Sequence, residues 1–178
     1  MIFFVSSTFF YEWSELGSLS SILFHESNII SAGAVLHWSS DICEALHFIH
    51  HQIPKMHLIH FNLRLDSILA CSDPQTGEIV CKLSDFTYAQ PYLRKDGQFK
   101  IKNAPNLGSL SSVAPEIIEN GKITYKSDLY SLGLLIWSMI HRRYPFQAKQ
   151  QLNVMTFDGG MQKNVPDYYR VIHLKCQI

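Results

Sequence analysis

The run from Ser127 to Met139 most limits what this chain can fold into. Its apolar side chains keep to no single helical face. A helix built from it is apolar almost all round and has to be enclosed by other elements. Ser127 suits the N-cap of that helix and Asp128 the positive end of its dipole. Arg142 and Arg143 suit the negative end, and Pro145 prevents continuation. The wider apolar run, Leu129 to Ile140, is too short to span a bilayer and is interrupted by Ser131 and Ser138. What the helix calls for is a globular shell. The composition can supply one, since 47% of the 178 residues are hydrophobic, which argues against disorder. That length corresponds to one domain or part of a larger one.

A second helix is expected from Ala34 to His50. Val35, Trp38, Ile42, Ala45, Leu46 and Ile49 recur at spacings of three and four and share a face. His37, Ser40, Glu44 and His47 lie elsewhere around it, and Pro54 ends it or follows its end. Upstream, Met1 to Trp13 is rich in Phe, Val, Ile and Thr and reads as one long strand or two short ones. It carries no basic residue, and Ser6, Ser7 and Thr8 break its apolar run, so a buried strand is preferred over a signal peptide. Leu16 to Leu19 interrupts the pattern, and Ser18 can cap a short helix running to about His25. Ser67 to Cys71 and Glu78 to Leu83 read as strands joined by the turn Asp73-Pro74-Gln75-Thr76-Gly77. Tyr88 to Ser112 is long and weakly patterned, with a tight turn at Asp96-Gly97. Val165-Pro166 starts a last helix, Asp167 to Lys175.

Charge excludes some partners. Lys+Arg and Asp+Glu both total 15, which leaves no electrostatic case for nucleic acid or an anionic membrane. Cys43, Cys71, Cys81 and Cys176 form no CxxC pair and no zinc spacing. Cys71 and Cys81 can approach each other across a hairpin, and the preferred reading is reduced thiols in a cytoplasmic protein.

The chemistry-bearing residues are His60-Phe61-Asn62-Leu63-Arg64-Leu65-Asp66-Ser67 and, downstream, Ser84-Asp85-Phe86-Thr87. Ala114-Pro115-Glu116, Ser127-Asp128-Leu129-Tyr130-Ser131-Leu132-Gly133 and Tyr144-Pro145-Phe146 follow in order. In this order and spacing they resemble the catalytic loop, metal-binding loop, activation-segment end and central helix of protein kinases. Arg64 holds the place of a Lys used by Ser/Thr kinases, so the tyrosine-kinase-like Ser/Thr branch is the nearest match. The resemblance implies a mainly α fold with small β elements. It reads as a kinase-like C-lobe over 14–178, truncated at its C-terminal end. Residues 1–13 are then a remnant N-lobe strand and hinge, with the N-lobe otherwise largely absent.

The resemblance also assigns roles. Asn62 stands at the position of the catalytic base Asp, beside Arg64. Asp85 and Ser67 stand at the metal-ligand positions. Leu69, Glu12 and Trp13 would line the nucleotide site. His60, stacked under Phe86, Asp128 and Glu116 would be structural, and Glu116 should lack its usual Arg partner. Phe61 replaces an Arg that binds a phosphorylated activation loop. Phosphates on Tyr88, Tyr92, Ser109 or Ser111 would lose that anchor. Arg94, Lys95, Lys100 and Lys102 are read as a solvated basic loop instead. His47, His50, His51, His57 and His60 invite a metal-site reading, but His50 and His60 belong to the kinase pattern, and no structural metal is expected.

Several kinase parts are missing or changed. There is no G-x-G-x-x-G, and the first Lys is Lys55. An Asn amide cannot act as a base near neutral pH. A Ser hydroxyl is a poorer Mg²⁺ ligand than an Asn carbonyl, and Thr87 stiffens a position where Gly permits positive φ. ATP and Mg²⁺ binding is therefore expected to be weak or absent. The expected function is a catalytically impaired, pseudokinase-like module that binds protein partners. The alternatives are part of an atypical Ser/Thr kinase whose N-lobe lies upstream, or a truncated product without activity.

Overall fold

The structure is a computed structural model and describes residues 4–5, 8–9, 12–54, 57–92, 99–100 and 113–145. Residues 4–5 (β1) and 8–9 (β2) form an antiparallel pair, with Phe4 opposite Phe9. The N-terminal apolar stretch is thus two short strands. Helix α1 is Leu19–Leu23, and Ser18 caps it by accepting from Ser21 N. It ends before His25, because Arg142 takes over the carbonyls that follow, as described below.

Helix α2 spans Ala32–His47, with Ser31 Oγ accepting from Ala34 N at 3.1 Å. It starts two residues earlier than expected. At its end it widens into one π-type turn, Phe48–Gln52, ahead of Pro54. Val35, Trp38, Ile42, Leu46 and Ile49 are buried as the period requires, and Ala45 only partly so. His37, Ser40, Glu44 and His47 face solvent.

That apolar face packs on a hairpin of β4 (Ile68–Ser72) and β5 (Ile79–Leu83), in which Leu69 faces Lys82 and Ala70 faces Cys81. Asp73 and Gly77 close the turn, Gly77 at φ +73. Asp41 of α2 accepts from Cys81 N at 2.9 Å and fixes helix to strand. Cys71 and Cys81 are buried free thiols on neighbouring strands. Burial, then Asp41, pushes the Cys81 thiol up to about 12.

The weakly patterned region holds pairings that no local pattern announces. Strand β3 (His57–Ile59) pairs with β6 (Gln90–Tyr92). Strand β7 (Phe99–Lys100) pairs with β8 (Lys122–Ile123), which follows α3 (Pro115–Asn120). The turn expected at Asp96-Gly97 and the helix expected over Asp167 to Lys175 lie outside the described residues.

Helix α4 is Tyr125–His141. Its N-cap is Thr124, and Ser127 is the third helical residue of a capping box. This corrects the expectation that Ser127 is the cap. The all-round-apolar reading is also corrected. The buried face combines Leu132, Leu135 and Met139 with Ser127, Asp128, Ser131 and Ser138, whereas Leu129 (48%) and Ile140 (62%) are exposed. Ser131 and Ser138 return their hydroxyls to carbonyls one turn back, so small polar residues can be buried at close range. Arg142, at φ +49, donates to Leu23 O, His25 O and Asn28 O. Its main role is to cap the end of α1, beyond any dipole effect on its own helix. Arg143 lies 5.2 Å over the Trp137 ring.

The main core joins α1, α2, α4 and the β4–β5 hairpin. A smaller one gathers Ile59, Val113, Ala114, Ile117 and Ile123, with Phe61, Tyr125 and Tyr130 against it. Among the described residues no helix is long and apolar enough to cross a membrane.

Candidate active site

The site is built on Asp128, which the capping box of α4 places in the first helical turn. Asp128 is 1% exposed. Its Oδ2 accepts from His60 N at 2.8 Å and from His50 Nε2 at 2.7 Å, and its Oδ1 accepts from Phe61 N at 2.9 Å. One buried carboxylate thereby fixes the backbone that leads into the loop. Phe61 sits at φ +64, a conformation that costs a bulky residue about 1–3 kcal/mol and persists only when its surroundings impose it.

His60 is fully buried. Its Nε2 donates to Ser84 O at 2.8 Å, Asn62 N donates to its Nδ1 at 3.3 Å, and its ring meets Phe86 edge-on at 4.9 Å. These partners select the neutral Nε2–H tautomer. Burial holds its pKa below the ordinary value, outweighing the opposite pull of Asp128 and Ser84 O.

Ser67 closes the loop from below. It is 1% exposed; its one hydroxyl proton is shared between Asn62 O and Arg64 O, both 2.9 Å away, and its oxygen accepts from Arg64 N at 3.0 Å. Ser67 O in turn accepts from Ser84 N and Ser84 Oγ. The residue expected as a metal ligand is buried, and it ties the two loops together through backbone groups. Arg64 is exposed.

Asp85 lies at φ +59 and is exposed. Its Oδ2 accepts from Asn62 Nδ2 at 2.6 Å and its Oδ1 from Thr87 Oγ1 at 2.7 Å. Positive φ falls on Asp85, while Thr87 lies in the tight turn Phe86–Tyr88 without it. This triangle was not anticipated. Only Thr87, two residues from Asp85, was a local signal; Asn62 is 23 positions away.

Residues 12–17 lie along the hairpin. Ser14 Oγ donates to Ala70 O at 2.7 Å and Ala70 N to Gly17 O at 2.9 Å. Ser72 N bonds the Glu15 carboxylate and holds its pKa below the usual range. Glu12 pairs with Lys82, whose pKa is raised chiefly by that bond. Lys82 stands opposite Leu69, so this pair borders the expected nucleotide floor. Leu69 is half-buried and Trp13 is 83% exposed. Glu116 accepts from Ser127 Oγ at 3.2 Å.

A protein kinase domain family model matches residues 5–170. The chain belongs to the protein kinase family. This kinase domain is 31% identical over 142 residues to the probable serine/threonine-protein kinase roco8 of Dictyostelium discoideum, covering 76% of the chain and 7% of that protein. It is 31% identical over 123 residues to the serine/threonine-protein kinase-transforming protein mos of Moloney murine sarcoma virus, covering 68% of the chain and 30% of that protein. The mitogen-activated protein kinase kinase kinase nsy-1 of Caenorhabditis elegans is 29% identical over 163 residues, covering 90% of the chain and 10% of that protein. The kinase domain thus spans less than a third of the length of each of these relatives.

Protein kinase domains in general use ATP with Mg²⁺ held by an Asp and an Asn. The donor set here does not fit that arrangement. Ser67, at the Asn position, is a buried hydroxyl turned into the loop, which leaves Asp85 as the exposed ligand of the expected pair, with Asn62 and Thr87 on its oxygens. Among the described residues no group of three or more His, Cys, Asp or Glu converges as a metal site.

Proposed function

We propose that this kinase domain is catalytically impaired and acts as a binding or regulatory module for protein partners in the cytoplasm. The observation that carries this reading is the bond from Asn62 Nδ2 to Asp85. The residue at the base position spends its amide as a donor and has no basicity to offer a substrate hydroxyl. General-base help is typically worth about 10²–10⁴-fold, so its loss cripples transfer.

The test is a phosphotransfer assay on the full chain with labelled ATP, Mg²⁺ and a generic protein substrate, beside nucleotide titrations with and without Mg²⁺. Transfer no higher than that of Asp85→Asn is the expected result. Micromolar, Mg²⁺-dependent ATP binding or transfer above that background overturns it.

A second reading is favoured by the relatives themselves, which are serine/threonine kinases far longer than this chain. Here the chain is part of an atypical Ser/Thr kinase. A Gly-rich stretch and a Val-Ala-x-Lys encoded upstream of Met1, with activity in the longer product, would favour it.

A further inference from the structure

We propose that Asn62 and Thr87 close the Asp85 carboxylate without a cation, the amide on one oxygen and the hydroxyl on the other taking the place of the divalent ion. The inference rests on the reading of an impaired site and says how that site is held together.

In the kinase arrangement the Asp of the metal-binding loop faces the base Asp, and Mg²⁺ offsets the negative charge gathered there. Here one of the two carboxylates has become an amide. The same substitution that removes the base removes the like charge and supplies a donor, at 2.6 Å from Asp85 Oδ2. Thr87 replaces a residue without a side chain by a hydroxyl that reaches Oδ1 at 2.7 Å. The two altered positions thus serve one carboxylate from both sides.

The backbone holds this geometry. On one side of Asp85, Ser84 N and Oγ both bond to Ser67 O. On the other side, Ala89 N bonds to Phe86 O and closes the tight turn. Asn62 is held by its own N–H on His60 Nδ1 and by the Asp128 bond to Phe61 N. A cation bound at Asp85 would have to share oxygens that already accept from the amide and the hydroxyl. It would find no second protein ligand at Ser67, whose hydroxyl is committed to Asn62 O, Arg64 O and Arg64 N. Mg²⁺ gives up its water reluctantly and is rarely held by one shared carboxylate without substrate phosphates. The consequence is a loop closure that does not depend on the cation concentration, which suits a surface read by a protein partner.

The test measures Mn²⁺ binding and thermal unfolding of the full chain, in chelator and in Mg²⁺. The parent should bind Mn²⁺ no more tightly than millimolar, with or without Asp85→Asn, and should unfold at the same temperature with and without Mg²⁺. The double variant Asn62→Asp, Thr87→Val should gain Mn²⁺ affinity by at least about tenfold and lose the gain when Asp85→Asn is added. Thr87→Val alone, at an exposed position, should give a smaller gain and covers the case in which the double variant does not fold. Micromolar Mn²⁺ binding by the parent that Asp85→Asn abolishes overturns the proposal, as does a folded double variant that gains nothing. If the parent binds Mn²⁺ at Asp85 yet transfers no phosphate, only this inference fails. If it ignores Mn²⁺ yet transfers phosphate, the impaired-enzyme reading fails instead.

Discussion

Asp128→Ala should be among the most damaging single substitutions in this chain, although Asp128 touches no substrate position. The side chain accepts three hydrogen bonds, from His60 N, Phe61 N and His50 Nε2. His50 is 2% and His60 0% exposed, so the stranded donors have little access to water. A buried donor left unpaired costs about 1–3 kcal/mol, and breaking a buried pair from one side costs about 3–5 kcal/mol. These losses share one cavity and do not add, which makes about 3–5 kcal/mol the expected total. In a domain stabilised by about 5–15 kcal/mol, that is a large fraction. At about 2–4 °C per kcal/mol for this size, the midpoint should fall by roughly 6–20 °C. The left-handed turn at Phe61 loses its anchor at the same time. Asp128→Asn should recover part of the loss, because it keeps an acceptor for Phe61 N while turning an NH₂ toward His60 N and His50. The assay is urea unfolding of the full chain followed by far-ultraviolet circular dichroism. A loss under about 1 kcal/mol for Asp128→Ala, within the range of an ordinary surface change, would refute the reasoning that this carboxylate organises the loop.

Asn62→Asp should not restore phosphotransfer in this chain, because Ser67 remains buried and the sequence has no G-x-G-x-x-G to cover the phosphates; measurable transfer by that single variant in a labelled-ATP assay would show that the base was the dominant loss. His60 gives a pH dependence with a definite sign. Its folded pKa lies below the ordinary 6.5, so its contribution to stability is complete above 6.5 and drains away as pH falls toward the lowered folded value. Unfolding midpoints should decline over that interval, and His60→Gln should reduce the slope. Cys81, with its thiol raised to about 12, should resist iodoacetamide at pH 8 in the folded chain while exposed Cys43 reacts; peptide mass spectrometry reads both, and equal labelling would contradict the burial. Arg142→Ala should cost about 0.5–1.5 kcal/mol in the same urea assay by removing its bonds to the carbonyls of Leu23, His25 and Asn28, which water can partly replace, with Arg142→Lys recovering only part, since an ammonium lacks the planar fork.

Some of this was legible because it is local. The period of Val35, Trp38, Ile42 and Leu46 is a property of one segment, and the helix that buries those residues lies within two or three residues of the expected bounds. The hairpin turn at Asp73 to Gly77 follows from the backbone preferences of Asp, Pro and Gly. The same local reading misplaced the cap of α4, because Thr124 and Ser127 both have suitable hydroxyls. The choice lies in whether the chain is already extended at position 124, at φ −142. It also missed the β3–β6 pairing, since strands of three residues carry no period long enough to read.

By itself the sequence determined the family, through the order and spacing of its motifs, and determined that the base position holds an amide. Only the tertiary structure decided what the altered residues do. Asn62 and Asp85 are 23 positions apart, and Asp128 is 68 from His60. Whether such groups meet depends on the packing of α4 beneath the loop and on Ser67 joining the two loops from inside. Hydrogen bonding acts over about 3 Å, so side-chain chemistry along a chain cannot reveal its own partner until the fold brings the two within that range.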